Sequence, residues 1–333
     1  MVKCQKGRGM AVDSIVLAGD KKGARLVHET NKAFLKLRGR PLLSYVISAL
    51  DRAKEVRSIH IVGPSEALKQ LLSPFQYEKP IYYIEQGENV FQNIWFGSLH
   101  TFSEYVRGSD YRDLKSLPEA DKIIFLATCD IPFLEPKEID HFITRAPAND
   151  YDFILGITRK ELLVPFAPKN SEPGISFAYF VFRDIIFRQS NVILLRPLKL
   201  GYVMEEFIPL VYGLRYQKQL KNIFKAIREI IRLGIGLKAM FYYLTLQSTR
   251  SLEGRGWKRT RDLVRRGVRL ENVLAYIQPI LQTRFTAFET NGPGPTLDTD
   301  NEMDLETAEK MFEKFKELQA QILSGTHPLS KEV

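Results

Sequence analysis

Cysteine is scarce in this sequence, which contains only Cys4 and Cys129 among its 333 residues. Two cysteines so far apart cannot form a disulfide framework, so we expect a reducing, cytoplasmic location. The five histidines show no metal-ligand spacing with each other or with cysteine, which argues against a zinc site.

Long apolar runs are also missing. No stretch of about 18 apolar residues occurs, so the sequence predicts no membrane-spanning helix. The basic residues among the first ten are not followed by an apolar segment, so no secretory signal is expected.

Apolar material is otherwise plentiful, since 44% of the residues are hydrophobic and 11% are aromatic. This composition excludes a disordered chain and suffices for one large domain or two modest ones. The net charge of +9 is concentrated in residues 201–290, which contain 16 basic and 7 acidic residues. We therefore expect this segment to meet an anionic partner.

The first 160 residues alternate between short apolar runs and amphipathic segments. The runs, which predict strands, are residues 14–18, 58–62, 81–84, 123–127 and 153–157; the segments, which predict helices, are residues 41–50, 65–72, 90–100 and 136–144. Ser65 is expected to cap the second of these helices. Strands separated by helices predict an α/β fold with a mostly parallel sheet sandwiched by helices.

The regular alternation of predicted strands and helices ends after residue 160. Residues 176–182 and 191–195 predict two further strands, residues 217–246 a helix broken or kinked by two glycines, and residues 302–324 an acidic helix. We expect a core of residues 11–160 and 285–322, interrupted by a basic, largely helical insertion over residues 161–284.

The loop after the first predicted strand has a composition suited to phosphate. Residues 19–25 contain two glycines and three cations, which can approach and neutralise phosphate oxygens. The loop is neither a Walker A motif nor a dinucleotide fingerprint, so a dehydrogenase is a distant alternative. A simple solvated connection fits this segment equally well.

Candidate metal-binding carboxylates occur in two other places along the chain. Asp130 ends the fourth predicted strand, and Asp298 and Asp300 lie on one face of a predicted extended segment. Such carboxylates could share one Mg²⁺ that carries a triphosphate. Alternatively, Asp130 caps the helix that follows it.

Three segments, in order, resemble the nucleotidyltransferases with a Rossmann-like, GT-A-like fold. They are residues 15–43, with IVLAG, an arginine and NKAFLKLRGRPLL; residues 127–132, ATCDIP; and residues 297–306, LDTDNEMDLE. The branch they most resemble contains the MobA-like NTP transferases (molybdenum-cofactor guanylyltransferases), the methylerythritol-phosphate cytidylyltransferases and the sugar-phosphate nucleotidyltransferases. The chain departs from that pattern at Asp20, where a second glycine is usual, and at Asn31, where a proline is usual.

This resemblance implies the transfer of NMP from an NTP to a phosphorylated small-molecule acceptor, with release of pyrophosphate. It assigns each candidate residue a role, namely catalysis for Arg25 and Lys32; nucleotide binding for Ala18, Gly19, Gly23, Gly87, Asn89 and Asn93; and Mg²⁺ binding for Asp130 with Asp298 or Asp300. The competing hypothesis is a catalytically silent nucleotide-binding or membrane-associated scaffold, which Asp20 and the altered loop favour.

Two expectations concern the insertion. Arg183, Arg188 and Arg196 are candidates to bind the acceptor phosphate, although structural pairing is the more common fate of such arginines. The basic helix around residues 218–246 could lie on an anionic membrane at the inner face, although packing on the core is the simpler expectation. Nucleic-acid binding lacks a recognised motif.

Overall fold

The computed structural model describes residues 11–21, 30–103, 117–169, 172–200 and 237–327. The strands are β1 (Val12–Leu17), β2 (Lys36–Leu37), β3 (Arg40–Pro41), β4 (Val56–Gly63), β5 (Ile81–Glu85), β6 (Ile124–Thr128), β7 (Phe153–Arg159), β8 (Phe180–Val181), β9 (Ile186–Leu195) and β10 (Phe285–Glu289). The α-helices are α1 (Leu42–Arg52), α2 (Ser65–Leu72), α3 (Val90–His100), α4 (Pro136–Arg145), α5 (Lys160–Leu163), α6 (Leu237–Gly254), α7 (Lys258–Val264), α8 (Leu270–Leu281) and α9 (Glu302–Leu323). Within the described ranges, no helix has the length and apolar content needed to cross a bilayer.

The central sheet confirms the predicted α/β class. Its strand order is β10-β7-β9-β6-β1-β4-β5, with β8 paired to β9. The pairs β10–β7, β6–β1, β1–β4 and β4–β5 are parallel. The carboxyl ends of these strands therefore meet at one edge, where ligands bind in open α/β sheets.

Strand β9 is the exception to the parallel arrangement. It runs antiparallel to both β6 and β7 and lies between them. This strand comes from the predicted insertion, so that segment contributes to the central sheet. The strand predicted over residues 176–182 is reduced to the two residues of β8, and the division into core and insertion remains a proposal.

Helices cover both faces of the sheet, as the alternating pattern predicts. On one face, α1 and α4 bury Val46 and Phe142 against the sheet residue Phe125. On the other face, α3 and α8 contribute Ile94 and Leu281 to a second core. Each such side chain contributes about 1.5–3 kcal/mol when fully buried, so the two layers stabilise the sheet together.

Helix ends show where local sequence decides structure. Helix α3 has the predicted bounds, because the Asn89 side chain accepts a hydrogen bond from the backbone N–H of Gln92. The prediction for Ser65 was wrong: it is the first residue of α2, and its hydroxyl donates to Glu85 at 2.7 Å instead of capping the helix.

The helical part of the insertion packs on the end of β9. Tyr242 of α6 and Val268 join Phe182 and Phe187 in a small core. Of the helix predicted over residues 217–246, the part before residue 237 lies outside the described residues. The described part continues past its predicted end, to Gly254.

Candidate active site

Two distant segments meet at the carboxyl edge of the sheet. Asp130 follows β6, and the backbone N–H of Thr299 donates to the Asp130 carbonyl oxygen at 3.0 Å. The segment that carries Asp298 and Asp300 is not a regular strand; it follows a 3-10 turn, Gly294–Thr296. The hydrogen bond to Asp130 therefore sets its position beside β6.

Lys32 brings two carboxylates together. Its ammonium nitrogen lies 2.6 Å from Asp130 Oδ2 and 2.8 Å from Asp300 Oδ1. Burial lowers the pKa of Lys32, but the two carboxylates outweigh this effect and raise the pKa above its ordinary value. Lys32 is therefore a charged, buried counter-ion, and its partner Asp300 lies 268 positions away along the sequence.

The residue before Lys32 explains how the lysine is positioned. Asn31 replaces the proline that is usual in the resembled family. Its Nδ2 donates to the Ala18 carbonyl oxygen at 2.8 Å, and its Oδ1 accepts from the Ala33 N–H at 2.9 Å. The Asn31 side chain thus attaches the 3-10 turn Lys32–Phe34 to the end of β1.

Asp298 has a different counter-ion. Arg188, on β9, lies 2.6 Å from Asp298 Oδ1 and 3.9 Å from an oxygen of Asp300. Burial raises the pKa of Asp298 above its ordinary value, while the Arg188 guanidinium opposes this rise. Phe177 lies under the guanidinium, with its ring centre 5.3 Å away. Arg188 is therefore committed to a buried ion pair.

Arg188→Met is expected to lower the free energy of unfolding by about 3–5 kcal/mol, because it leaves the Asp298 charge buried without its counter-ion. Urea unfolding measures this loss. The added Asp298→Asn substitution removes the stranded charge, so the double variant should be more stable than the sum of the single losses predicts. Simple additivity would show that the ion pair contributes no coupling energy.

The chemistry of the carboxylates fits a divalent cation only in part. Mg²⁺ is held by one or two protein carboxylates, with phosphate and water oxygens completing its shell. Asp130 and Asp300 already share one cationic group and fit this demand. Asp298 does not, because its charge is matched by Arg188. Across the described residues, no three or more His, Cys, Asp or Glu side chains are grouped as ligands of one metal ion.

A group of small and amide residues follows the ends of β1 and β5. The Asn93 side chain accepts a hydrogen bond from the Gly87 N–H at 2.7 Å. A Cβ built on Gly19 would lie 2.5 Å from Asn93 Nδ2, so any larger residue there would displace the Asn93 side chain. Asn89 caps α3. The structure therefore brings Ala18, Gly19, Gly87, Asn89 and Asn93 to the ends of β1 and β5.

The Asp20 carboxylate, which lies next to these residues, is not left without a hydrogen-bond partner. Its carboxylate accepts a hydrogen bond from Gln86 Nε2 at 2.6 Å, and its N–H donates to Gln86 Oε1 at 2.9 Å. The next residue, Lys21, pairs with Glu88 at 2.9 Å. The acidic departure from the family pattern is thus satisfied by an amide of the β5 loop. Gly23 and Arg25, the other predicted residues of this loop, lie outside the described residues.

Of the three predicted acceptor arginines, Arg196 is not brought to this site. It follows Leu195, which pairs with Ile124 and Phe153 at the opposite edge of the sheet. The buried Arg196 guanidinium donates to the Tyr151 carbonyl oxygen at 2.7 Å. Its role is structural, because its donors satisfy backbone oxygens.

Arg183 is the exposed member of the three. It lies in the turn between β8 and β9, on the side of the sheet where β7 ends. Its backbone N–H donates to the Val268 carbonyl oxygen at 2.9 Å, which leaves the side chain at the surface.

Sequence reasoning assigned no role to several residues that shape the site. Thr128 donates to Asp130 Oδ1 at 2.6 Å, Thr299 is fully buried beside Asp130, and Gln86 holds Asp20. A signal existed for two of them, because Thr128 and Thr299 lie within two residues of the candidate carboxylates. Nothing local connects Gln86 with Asp20, 66 residues away. Asp130 does not cap α4, whose N-cap residue is Glu135.

Fold and site together define a Rossmann-like α/β protein with a charged site at the carboxyl edge of its sheet. Residues 14–176, just under half of the chain, match the family model of the MobA-like NTP transferase domain. This result confirms the resemblance found in the three sequence segments.

Two curated relatives have the same activity in their names. The chain is 35% identical over 81 residues to a 2-C-methyl-D-erythritol 4-phosphate cytidylyltransferase of Gloeobacter violaceus, and the match covers 23% of this chain and 35% of the relative. It is 30% identical over 87 residues to the protein of that name from Lachnospira eligens, covering 25% of this chain and 38% of the relative. The chain thus spans little more than a third of the length of these relatives.

A solved structure resembles nearly the whole chain. A hypothetical transferase from Thermus thermophilus superposes with a TM-score of 0.55 and 22% identity, covering 89% of this chain and all of the other. This similarity supports the fold.

Proposed function

We propose that the protein is a nucleotidyltransferase that moves NMP from an NTP to a phosphorylated small-molecule acceptor and releases pyrophosphate. The observation that carries this proposal is the Lys32 ammonium held between Asp130 and Asp300 beside the end of β1. A site for a metal-bound triphosphate needs both charges there, carboxylates for the cation and a cation for the phosphates.

The proposed reaction needs no covalent enzyme intermediate. An oxygen of the acceptor phosphate forms a bond to the α-phosphorus, and the bond from that phosphorus to the β-phosphate oxygen breaks, so pyrophosphate leaves with the electron pair. Catalysis then consists of positioning and charge neutralisation. Lys32 would neutralise phosphate charge in this reaction, together with Arg25.

Asp130 and Asp300 would hold Mg²⁺, which supplies further neutralisation of the triphosphate when it is bound. Lys32 now occupies the place between these two carboxylates. We therefore propose that Lys32 turns from the carboxylates to the phosphates when nucleotide and cation enter, so that the carboxylates face the cation and the ammonium faces the phosphates.

The acceptor is proposed to carry a phosphate. The names of the curated relatives describe cytidylyl transfer to a phosphorylated polyol, which makes CTP and such an acceptor the first pair to test. Arg183 is the remaining candidate to bind the acceptor, since Arg188 is paired with Asp298 and Arg196 donates to backbone oxygens.

A second function, a silent nucleotide-binding scaffold, is favoured by one observation. The Lys32 ammonium is already a counter-ion to both carboxylates, so a divalent cation is not required to hold them together. We also retain as proposals a cytoplasmic location and an anionic membrane as a partner of the 218–246 segment, whose first 19 residues lie outside the described residues.

A thermal-shift panel of the four NTPs, with Mg²⁺ or with EDTA, tests the proposed function. One NTP should raise the melting temperature with Mg²⁺ only, since saturation at 100 times Kd stabilises by about 2.7 kcal/mol. Pyrophosphate release with 2-C-methyl-D-erythritol 4-phosphate or another sugar or polyol phosphate then separates transferase from scaffold. Binding of a nucleotide without turnover of any acceptor would support the scaffold, and no binding would contradict both.

A further inference from the structure

The end of α6, the turn after it and α7 form an exposed surface, here called the α6–α7 surface, of residues 250–267. Its turn, residues 254–259, is exposed at every position. Gly256 has a φ of 73°, a left-handed conformation that favours glycine, and a Cβ there would have no neighbour within 4 Å. The turn therefore projects away from the rest of the described protein.

This surface carries uncompensated positive charge. Its two acidic residues, Glu253 and Asp262, are both engaged by Arg261. Five exposed cations have no ion pair within the described part of the chain, namely Arg250, Arg255, Lys258, Arg259 and Arg266. The surface thus offers several free cationic groups on a short stretch.

Large apolar side chains are exposed among these cations. Trp257 is 58% exposed and Leu263 is 64% exposed. Leu263 lies four residues after Arg259 and three before Arg266, so the three share one side of the helix and its continuation. Exposed apolar residues scattered singly are ordinary, but their concentration among free cations indicates a binding surface.

The combination of exposed apolar and cationic side chains indicates which kind of partner the surface binds. Tryptophan suits the interfacial layer of a bilayer, leucine suits the acyl region, and arginine and lysine meet lipid phosphates. A single-stranded nucleic acid could stack on Trp257, but it offers nothing apolar to the Leu263 side chain. The observations therefore favour an anionic lipid surface.

We infer that the α6–α7 surface binds anionic membranes, with Trp257 and Leu263 entering the interfacial layer and the free cations contacting lipid phosphates. This surface lies beside the turn of Arg183, through the hydrogen bond to Val268. The inference goes beyond the proposed function, since binding to lipid requires neither nucleotide nor turnover.

Tryptophan fluorescence and vesicle sedimentation test the inference. The sequence has two tryptophans, so Trp95→Phe leaves Trp257 as the sole reporter. We expect the full chain to sediment with vesicles of equal parts phosphatidylglycerol and phosphatidylcholine, with a blue shift of Trp257, and not with phosphatidylcholine alone. The triple variant R255Q/K258Q/R259Q should bind about a hundredfold more weakly.

Leu263→Asp should also abolish sedimentation, and Met303→Asp provides the matched control. Met303 is 71% exposed on α9, outside the α6–α7 surface, and aspartate is favourable in a first helical turn. Circular dichroism confirms that each variant is folded. No sedimentation of the unaltered chain at low salt, equal loss in Met303→Asp, or binding of a single-stranded oligonucleotide without binding of vesicles would overturn the inference.

Discussion

Lys32→Met is expected to destabilise the protein by about 3–5 kcal/mol and to make its stability depend on Mg²⁺. The substitution leaves Asp130 and Asp300 facing each other without the ammonium that lies within 3 Å of both. A divalent cation can replace that charge, because Mg²⁺ accepts one or two protein carboxylates. Melting temperature with and without Mg²⁺, for the variant and the unaltered protein, measures the effect.

The double variant Lys32→Met with Asp130→Asn provides the control. It leaves one carboxylate, so both the loss of stability and the response to Mg²⁺ should be smaller than in the single variant. If the single variant is stable without a cation and indifferent to Mg²⁺, the two carboxylates are not a cation site. Transfer activity of Lys32→Met should be lost even where Mg²⁺ restores the fold, since no ammonium remains for the phosphates.

Local patterns predicted β1, β4, β5, β6 and β7 well, because the strand signals lie within each segment, whereas β10 was not predicted. Among the helices, α3 is the clearest case, since both its N-cap Asn89 and its apolar positions are local. The place of β9 could not be predicted in this way. An antiparallel strand entering between β6 and β7 depends on pairings with residues 28 to 71 positions away.

In the candidate site, too, the contacts between residues distant in sequence could not be predicted. Residue types and their order indicated which side chains could bind nucleotide and cation. The partners of the charges were not predictable, since Arg188 meets Asp298 across 110 positions. A sequence shows that an arginine is present, whereas burial and the nearest carboxylate decide whether it is free to bind a ligand.

Asp130→Asn is expected to reduce transfer activity about a thousandfold or more while leaving the fold intact. The asparagine Oδ1 can still accept the hydrogen bond that Thr128 donates, and Lys32 retains Asp300 as its partner. What is lost is one of the two carboxylate charges proposed for the cation. A loss of about 4 kcal/mol in transition-state stabilisation corresponds to that factor. Pyrophosphate release at saturating NTP and Mg²⁺ measures it.

Asp140→Asn is the matched control for this change. Asp140 is half-buried on α4 and accepts a hydrogen bond from the Glu55 N–H at 2.9 Å, which asparagine can preserve. Its activity should stay close to that of the unaltered protein. Thr128→Val, which removes only the hydrogen bond to Asp130, should lose about 10–100-fold, as is usual for residues that orient a ligand. Turnover retained in Asp130→Asn would remove this carboxylate from the site and with it the reason for placing the cation at β6.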